Sequence, residues 1–217
     1  MCGRYLVEDE VYADMWMYLN SEFGVGNSDP GAEDRLAALE SKLREPLGAT
    51  QKLAKGEVYP TNIAPVFTRD GAAGVKWGFP HWKTSGVIIN ARSETALQKN
   101  MFKGPLLKRR CVIPSSGFYE WSRTGGGKKK DKYLLRQPDT HLLYMAGMIN
   151  VFRDADGNDY SAFVILTTEA NESVASIHDR MPVILTPDER DRWLNDDEYM
   201  EHIIHRAGPV LDLASVD

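Results

Sequence analysis

Apolar positions near the start recur at helical spacing. Val7, Val11, Met15, Tyr18 and Leu19 predict a first helix over about 8–20. Phe23 to Pro30, with Gly24, Gly26, Asn27 and Ser28, reads as a loop, and Leu36, Leu39 and Leu43 predict a second helix ending before Pro46. From Val58 the pattern shortens to apolar runs between glycine and proline signals. These predict strands at Ala64–Thr68, Gly74–Phe79, Gly86–Ile89, Arg110–Ile113, Phe118–Ser122, Tyr133–Arg136, Leu142–Val151 and Ser161–Thr167. Gly125-Gly126-Gly127 reads as a hairpin turn, since glycine accepts positive φ without steric cost. Thr186-Pro187-Asp188-Glu189 is a helix start, with Thr at the N-cap, Pro first and Glu third, for a helix running through Trp193. Another helix is predicted over 197–206. Strands do not alternate with helices and no repeat is visible, which argues against a doubly wound sheet. The expected architecture is one α+β domain with a mostly antiparallel, barrel-like β-sheet flanked by helices.

Composition narrows the classes. A chain of 217 residues with 42% hydrophobic and 26% charged residues is ordinary globular usage, neither disordered nor fibrous. No apolar run reaches membrane-spanning length, and Arg4, Glu8, Asp9 and Glu10 stand where a signal peptide would be apolar, so a cytoplasmic protein without membrane contact is expected. Cys2 and Cys111 are too few for a disulfide framework or a four-thiolate zinc site. His202 and His205 lie three apart, but without a third ligand at sensible spacing they read as a surface face; no metal is expected.

The net charge of −5 argues against bulk nucleic-acid binding. Its distribution does not. Between Met101 and Arg136, the residues Lys103, Lys108, Arg109, Arg110, Arg123, Lys128, Lys129, Lys130, Lys132 and Arg136 face only Glu120 and Asp131, leaving +8 in one segment. This is either a solvated hairpin tip or a patch that meets phosphates.

Cys2 carries the most chemistry. Removal of Met1 would leave a free amine and a thiol on adjacent carbons, with ordinary pKa values of about 8 and about 8.5. With an aldehyde, the amine forms an imine and the thiol closes on the imine carbon, giving a thiazolidine that no internal cysteine can form. Cys2 can equally be just a small residue after the initiator. Four stretches could serve it. Ile88 to Thr95 ends a strand in Asn90 and Arg92, which can hold an anionic ligand or, with Ser93, cap a helix. In Pro114 to Trp121, Glu120 sits between aromatics: buried, it suits a general acid/base; outward-facing, it is inert. His178 in Ile177-His178-Asp179-Arg180-Met181-Pro182 can shuttle a proton or cap a helix. Asn62-Ile63-Ala64-Pro65 is expected to shape a pocket floor. Trp77 and Trp82 are candidates for the core or for a platform that stacks unpaired bases.

Met1-Cys2-Gly3-Arg4-Tyr5, Asn62-Ile63-Ala64-Pro65, Trp77-Gly78-Phe79, Ile89 to Thr95, Arg110-Cys111-Val112-Ile113-Pro114, Gly117-Phe118-Tyr119-Glu120-Trp121 and His178-Asp179-Arg180-Met181-Pro182 follow one another in an order that resembles the SOS-response-associated peptidase (SRAP) family of abasic site processing proteins. The likeness runs from residue 2 to about 195. It implies a single domain over 2–217, with a helical or loop insertion at about 24–56. It also implies a sensor of abasic sites in single-stranded DNA, including gapped or fork DNA, acting as a monomer without cofactor and trapping the open-ring aldehyde as a thiazolidine crosslink. By motif position, Cys2 is the nucleophile, Glu120 the acid/base, His178 the proton carrier at the sugar oxygens, and Asn90 the positioning group. Arg4 and Arg92 match phosphate contacts, Trp82 a DNA-side loop, and Thr167, at its strand's end, a pocket threonine. The family name also implies a peptidase, with removal of a leader ahead of the cysteine. The rival readings are an N-terminal-nucleophile amidohydrolase, a thiol peptidase built on Cys2 and His178, and a non-covalent single-stranded DNA binder. The amidohydrolase reading lacks the later Asn-Gly-Asp signature.

Overall fold

A computed structural model describes residues 2–23, 52–122 and 130–216. The predicted second helix, the loop before it and the triple-glycine turn lie outside the described residues. In chain order the strands are β1 Arg4–Val7, β2 Gly56–Val58, β3 Ile63–Thr68, β4 Gly71–Trp77, β5 Phe79–Pro80, β6 Val87–Ile88, β7 Asn90–Arg92 and β8 Arg110–Ser115. They continue as β9 Gly117–Trp121, β10 Lys132–Arg136, β11 Leu143–Arg153, β12 Asp159–Glu169, β13 Arg180–Pro182, β14 Ile184–Leu185 and β15 Asp212–Val216. The helices are α1 Asp9–Phe23, α2 Ser93–Ala96, α3 Asn100–Lys108, α4 Glu172–Ala175, α5 Glu189–Asn195 and α6 Asp197–Ile203.

Strands β12, β4, β3, β8 and β11 hydrogen-bond in that order, and β11 pairs back onto β12, closing a barrel. The middles of β11 and β12 are buried on both faces, because one face lines the barrel and the other is covered; they read as continuous apolar runs rather than alternating ones. Most pairings are antiparallel, as expected. The exceptions are β12 with β4 and β12 with β7, both parallel. Beyond the barrel, β12 continues between β7 and β13, so Thr167 is flanked by Arg92 on one side and Pro182 on the other.

A second sheet, ordered β15-β10-β9-β1-β2, packs against the barrel. Its period-two pattern sorts its residues cleanly. Tyr5, Val7, Phe118 and Leu135 are fully buried in the main core, while Leu6, Tyr119 and Leu134 form a separate cluster on the outer face. Tyr5 meets Trp77 edge-on at 5.0 Å, and Trp77 stacks on Phe163 at 6.3 Å, joining sheet to barrel. A buried Phe118 contributes about 1.5–3 kcal/mol. Gly117 permits the turn into β9: its φ is +152°, and a Cβ there would stand 2.6 Å from the Leu135 carbonyl oxygen.

Several expectations change. β1 was hidden, because Val7 fits the helical spacing; it closes the strand instead, and α1 starts at Asp9. β12 runs two residues past Thr167, to Glu169. The helix expected from Thr186 starts at Glu189, after a turn at Pro187 and Asp188. Half of the capping box survives there, since Glu189 Oε2 accepts the Thr186 N–H at 2.8 Å. At the end of the 24–56 segment, Leu53 is buried and Gly56 pairs with Val7 in β2. His202 and His205 are both exposed.

Candidate active site

Strand β1 places Cys2 one step beyond Gly3, where the second sheet meets the end of β7. Asn90 Nδ2 donates to the Cys2 carbonyl oxygen at 2.9 Å, across 88 residues of sequence. Cys2 is fully buried, and its Sγ contacts the Arg4 carbonyl oxygen at 3.7 Å. Burial pushes the thiol well above its ordinary range, and the nearby Glu120 charge pushes it further. Glu120 shares the inward face of β9 with Phe118 and is only 3% exposed, so the outward-facing alternative is excluded.

His178 arrives from the other side of β12. Asn171 Oδ1 accepts the Ser173 N–H and starts α4, and the His178 N–H bonds the Val174 carbonyl at 3.0 Å, just beyond the helix. The imidazole is 8% exposed. Its Nδ1 meets both the Arg180 N–H and Asp179 Oδ1 at 2.9 Å. Those roles conflict, since a nitrogen that accepts from Arg180 cannot donate to Asp179. The backbone donor is fixed by the chain, whereas the Asp179 side chain is 61% exposed. An Nδ1 that accepts from the Arg180 N–H leaves the ring proton on Nε2.

Arg180 ties the two motif segments together. Its guanidinium makes a bidentate pair with Glu94, at 2.6 and 2.9 Å, and donates to the Thr167 carbonyl at 2.6 Å. The Arg180 hydrogen bonds hold the Glu94 carboxyl below its usual range, against partial burial. One clamp thus fixes α2, directly after Asn90 and Arg92, against the strand that follows His178. Neither partner was singled out from sequence as a site residue, although both lie within the quoted motifs; 86 residues separate them.

Arg92 is exposed beside Asn90. Thr167 has no exposed surface, and its hydroxyl donates to the Ala91 carbonyl at 3.5 Å. Trp82 is 74% exposed between β5 and β6, stacked on His81, with the Lys83 ammonium 4.2 Å from its ring centre. Trp77 is core. Arg4 is half-buried, pairs with Glu57 at 3.1 Å and lies over the rings of Tyr59 and Trp121. Of the Asn62–Pro65 stretch, Ile63 lines a cavity of about 500 Å³ with Lys76, Tyr160 and Ser161, and none of the candidate catalytic residues borders that cavity.

The single basic patch also resolves into parts. Arg110 is buried, donating to the carbonyls of Leu106, Trp193 and Leu194 and pairing with Asp197 at 2.9 Å. Lys132 pairs with Glu57 and Arg136 with Glu8. Arg123, Lys128 and Lys129 lie outside the described residues.

The sequence matches the SOS response associated peptidase (SRAP) family over residues 1–214. This chain belongs to the SRAP family. It is 35% identical over 179 residues to the abasic site processing protein YoqW of Bacillus subtilis, covering 74% of this chain and 80% of that one. It is 36% identical over 148 residues to chicken HMCES, also named an abasic site processing protein, covering 56% of this chain and 44% of that one. A crystal structure of a protein from Bacteroides thetaiotaomicron superposes with a TM-score of 0.73 at 23% identity, covering 100% of this chain and 92% of that one, which shows a common fold. No helix among the described residues is long and apolar enough to cross a membrane.

Proposed function

We propose that this SRAP protein senses abasic sites in single-stranded DNA and captures them covalently through Cys2. The observation that carries the reading is the Asn90 hydrogen bond to the Cys2 carbonyl, which holds the reacting residue beside the buried Glu120. Once Met1 is removed, the α-amine attacks the C1′ aldehyde of the open sugar. The carbinolamine loses water to give the imine. The thiol then adds across C=N: the C–S bond forms and the thiol proton passes to the ring nitrogen. One water leaves per crosslink, and no oxidant or cofactor enters the balance.

Each neighbour has a role in this scheme. Glu120 relays protons during sugar opening, dehydration and reversal. His178, with its proton on Nε2, donates to sugar oxygens. Arg92, exposed next to Asn90, takes a flanking phosphate together with Arg4, and Trp82 stacks an unpaired base. Thr167 supports the site from beneath through Ala91 and Arg180. The raised pKa of the thiol speaks against the peptidase dyad of Cys2 with His178, because that chemistry starts from a thiolate. It is no obstacle here, where the amine acts first.

Intact mass of the purified protein, before and after mixing with an abasic single-stranded oligonucleotide, tests the proposal. The expected result is a Met1-free protein that gains the oligonucleotide mass less one water, and a Cys2→Ala variant that gains nothing. An equal adduct yield from Cys2→Ala would remove Cys2 as the nucleophile.

A further inference from the structure

On the outer face of the second sheet, three donors converge on one carboxylate. Glu57 Oε2 accepts from Arg4 Nη1 and from the Tyr59 hydroxyl, both at 3.1 Å, and Lys132 Nζ bonds Oε1. Register explains the convergence. Glu57 pairs with Leu6 in β1, Arg4 with Tyr119 in β9, and Lys132 with Trp121, so side chains from four strands stand on one face. The Arg4 guanidinium sits between the Tyr59 ring at 4.3 Å and the Trp121 ring at 5.0 Å, while the Lys132 ammonium lies 4.1 Å from the Tyr119 ring centre. The aromatics therefore fix the two cations, and the cations meet Glu57 between them. An arginine, a lysine and a tyrosine hydroxyl aimed at one anion form a donor set suited to a phosphodiester. The group stays within reach of solvent: Tyr59 is 42% exposed and the Glu57 side chain 28%.

We infer that Glu57 is a built-in competitor for a DNA backbone phosphate: it occupies the anion position between Arg4 and Lys132, and a phosphate can take that position only by displacing it. The residue weakens the grip on undamaged strand and leaves selection of the lesion to the covalent step. This deepens the proposed function, since it rests on Arg4 as a phosphate contact. The Lys132 hydrogen bond foremost, then that of Tyr59, keeps the Glu57 carboxyl below its usual range despite the opposing effect of burial, so the competitor is charged at neutral pH.

The test measures non-covalent binding of an oligothymidylate with no abasic site to wild type, Glu57→Gln and Glu57→Asp across a salt series. Glu57→Gln should bind roughly three- to tenfold tighter at low salt. Its slope of log K against log salt should be steeper by about 0.7 for each phosphate newly engaged. Glu57→Asp keeps the charge and should behave as wild type, which separates competition from a change of fold. Unchanged or weaker binding by Glu57→Gln would overturn the inference, as would equal tightening by Glu57→Asp. A separate arm records the intact-mass adduct of wild type with an abasic oligonucleotide. Tighter binding by Glu57→Gln without any wild-type adduct would sink the crosslinking proposal and leave this inference standing; a wild-type adduct with Glu57→Gln unchanged would do the reverse.

Discussion

In the proposed capture the reacting atoms of Cys2 are the nitrogen and the sulfur, whereas the Asn90 side chain holds its carbonyl oxygen. Anchoring a neighbouring, unreactive atom fixes the residue without engaging either nucleophile in that hydrogen bond. Asn90→Ala removes that anchor. A single hydrogen bond contributes about 1 kcal/mol, so folding should survive. Misplacing a nucleophile by an ångström costs roughly 10²-fold in rate, so crosslinking in single-turnover assays should slow to about that extent. A rate equal to wild type would dismiss Asn90 as a positioning group. Residue types alone suggested Cys2, Asn90 and Glu120, because an N-terminal aminothiol, an amide at a strand end and a carboxyl among aromatics are each unusual. That Glu120 faces inward could not be read this way, since alternation leaves the phase of a strand open until its neighbours are known.

At the level of elements, the Arg180–Glu94 pair is the joint between the strand that carries Asn90 and the turn that carries His178. Its partners differ in exposure: the Arg180 side chain is 9% exposed and the Glu94 side chain 37%. Removing Glu94 leaves a buried guanidinium without its counter-charge, held only by the Thr167 carbonyl, whereas removing Arg180 leaves a carboxylate that water can reach. Glu94→Ala should therefore destabilise by about 3 kcal/mol, and Arg180→Met by less, about 1–2 kcal/mol, in urea unfolding. The opposite order would refute the joint. Helix and strand types were largely legible, because α1 and the long runs of β11 and β12 have strong periodicity or length. β1 was not, as four residues beside a helical repeat give no period of their own.

For the whole molecule, the acid side of the stability curve is set by carboxylates in fixed pairs. Burial opposes ionisation of Glu189, but hydrogen bonds from Arg206, Tyr199 and the Thr186 N–H overcome it and bring its pKa down to about 2. Glu57 and Glu94 shift the same way. A carboxyl whose folded pKa is depressed adds stability above its unfolded pKa and loses it as pH falls through the folded value. Stability should then decline from about pH 5 toward about pH 2, followed by denaturant midpoints. Glu189→Gln should be less stable at neutral pH and show a shallower acid decline; an identical decline would exclude this network as its source.

The class of the protein and the chemistry that Cys2 would offer once Met1 is removed were legible in sequence alone, because element types follow local periodicity and a 1,2-aminothiol is a covalent property of two adjacent groups. Which residues meet was decided only by the tertiary structure. The Asn90 bond to Cys2, the Arg180 clamp on Glu94 and the Glu57 cluster join segments tens of residues apart, and such contacts depend on strand order and register in the barrel and in the second sheet. Packing of α3, α5 and α6 around Arg110 divided a charge run that looked continuous along the chain, since charges adjacent in sequence share a surface only when the fold turns them to the same side.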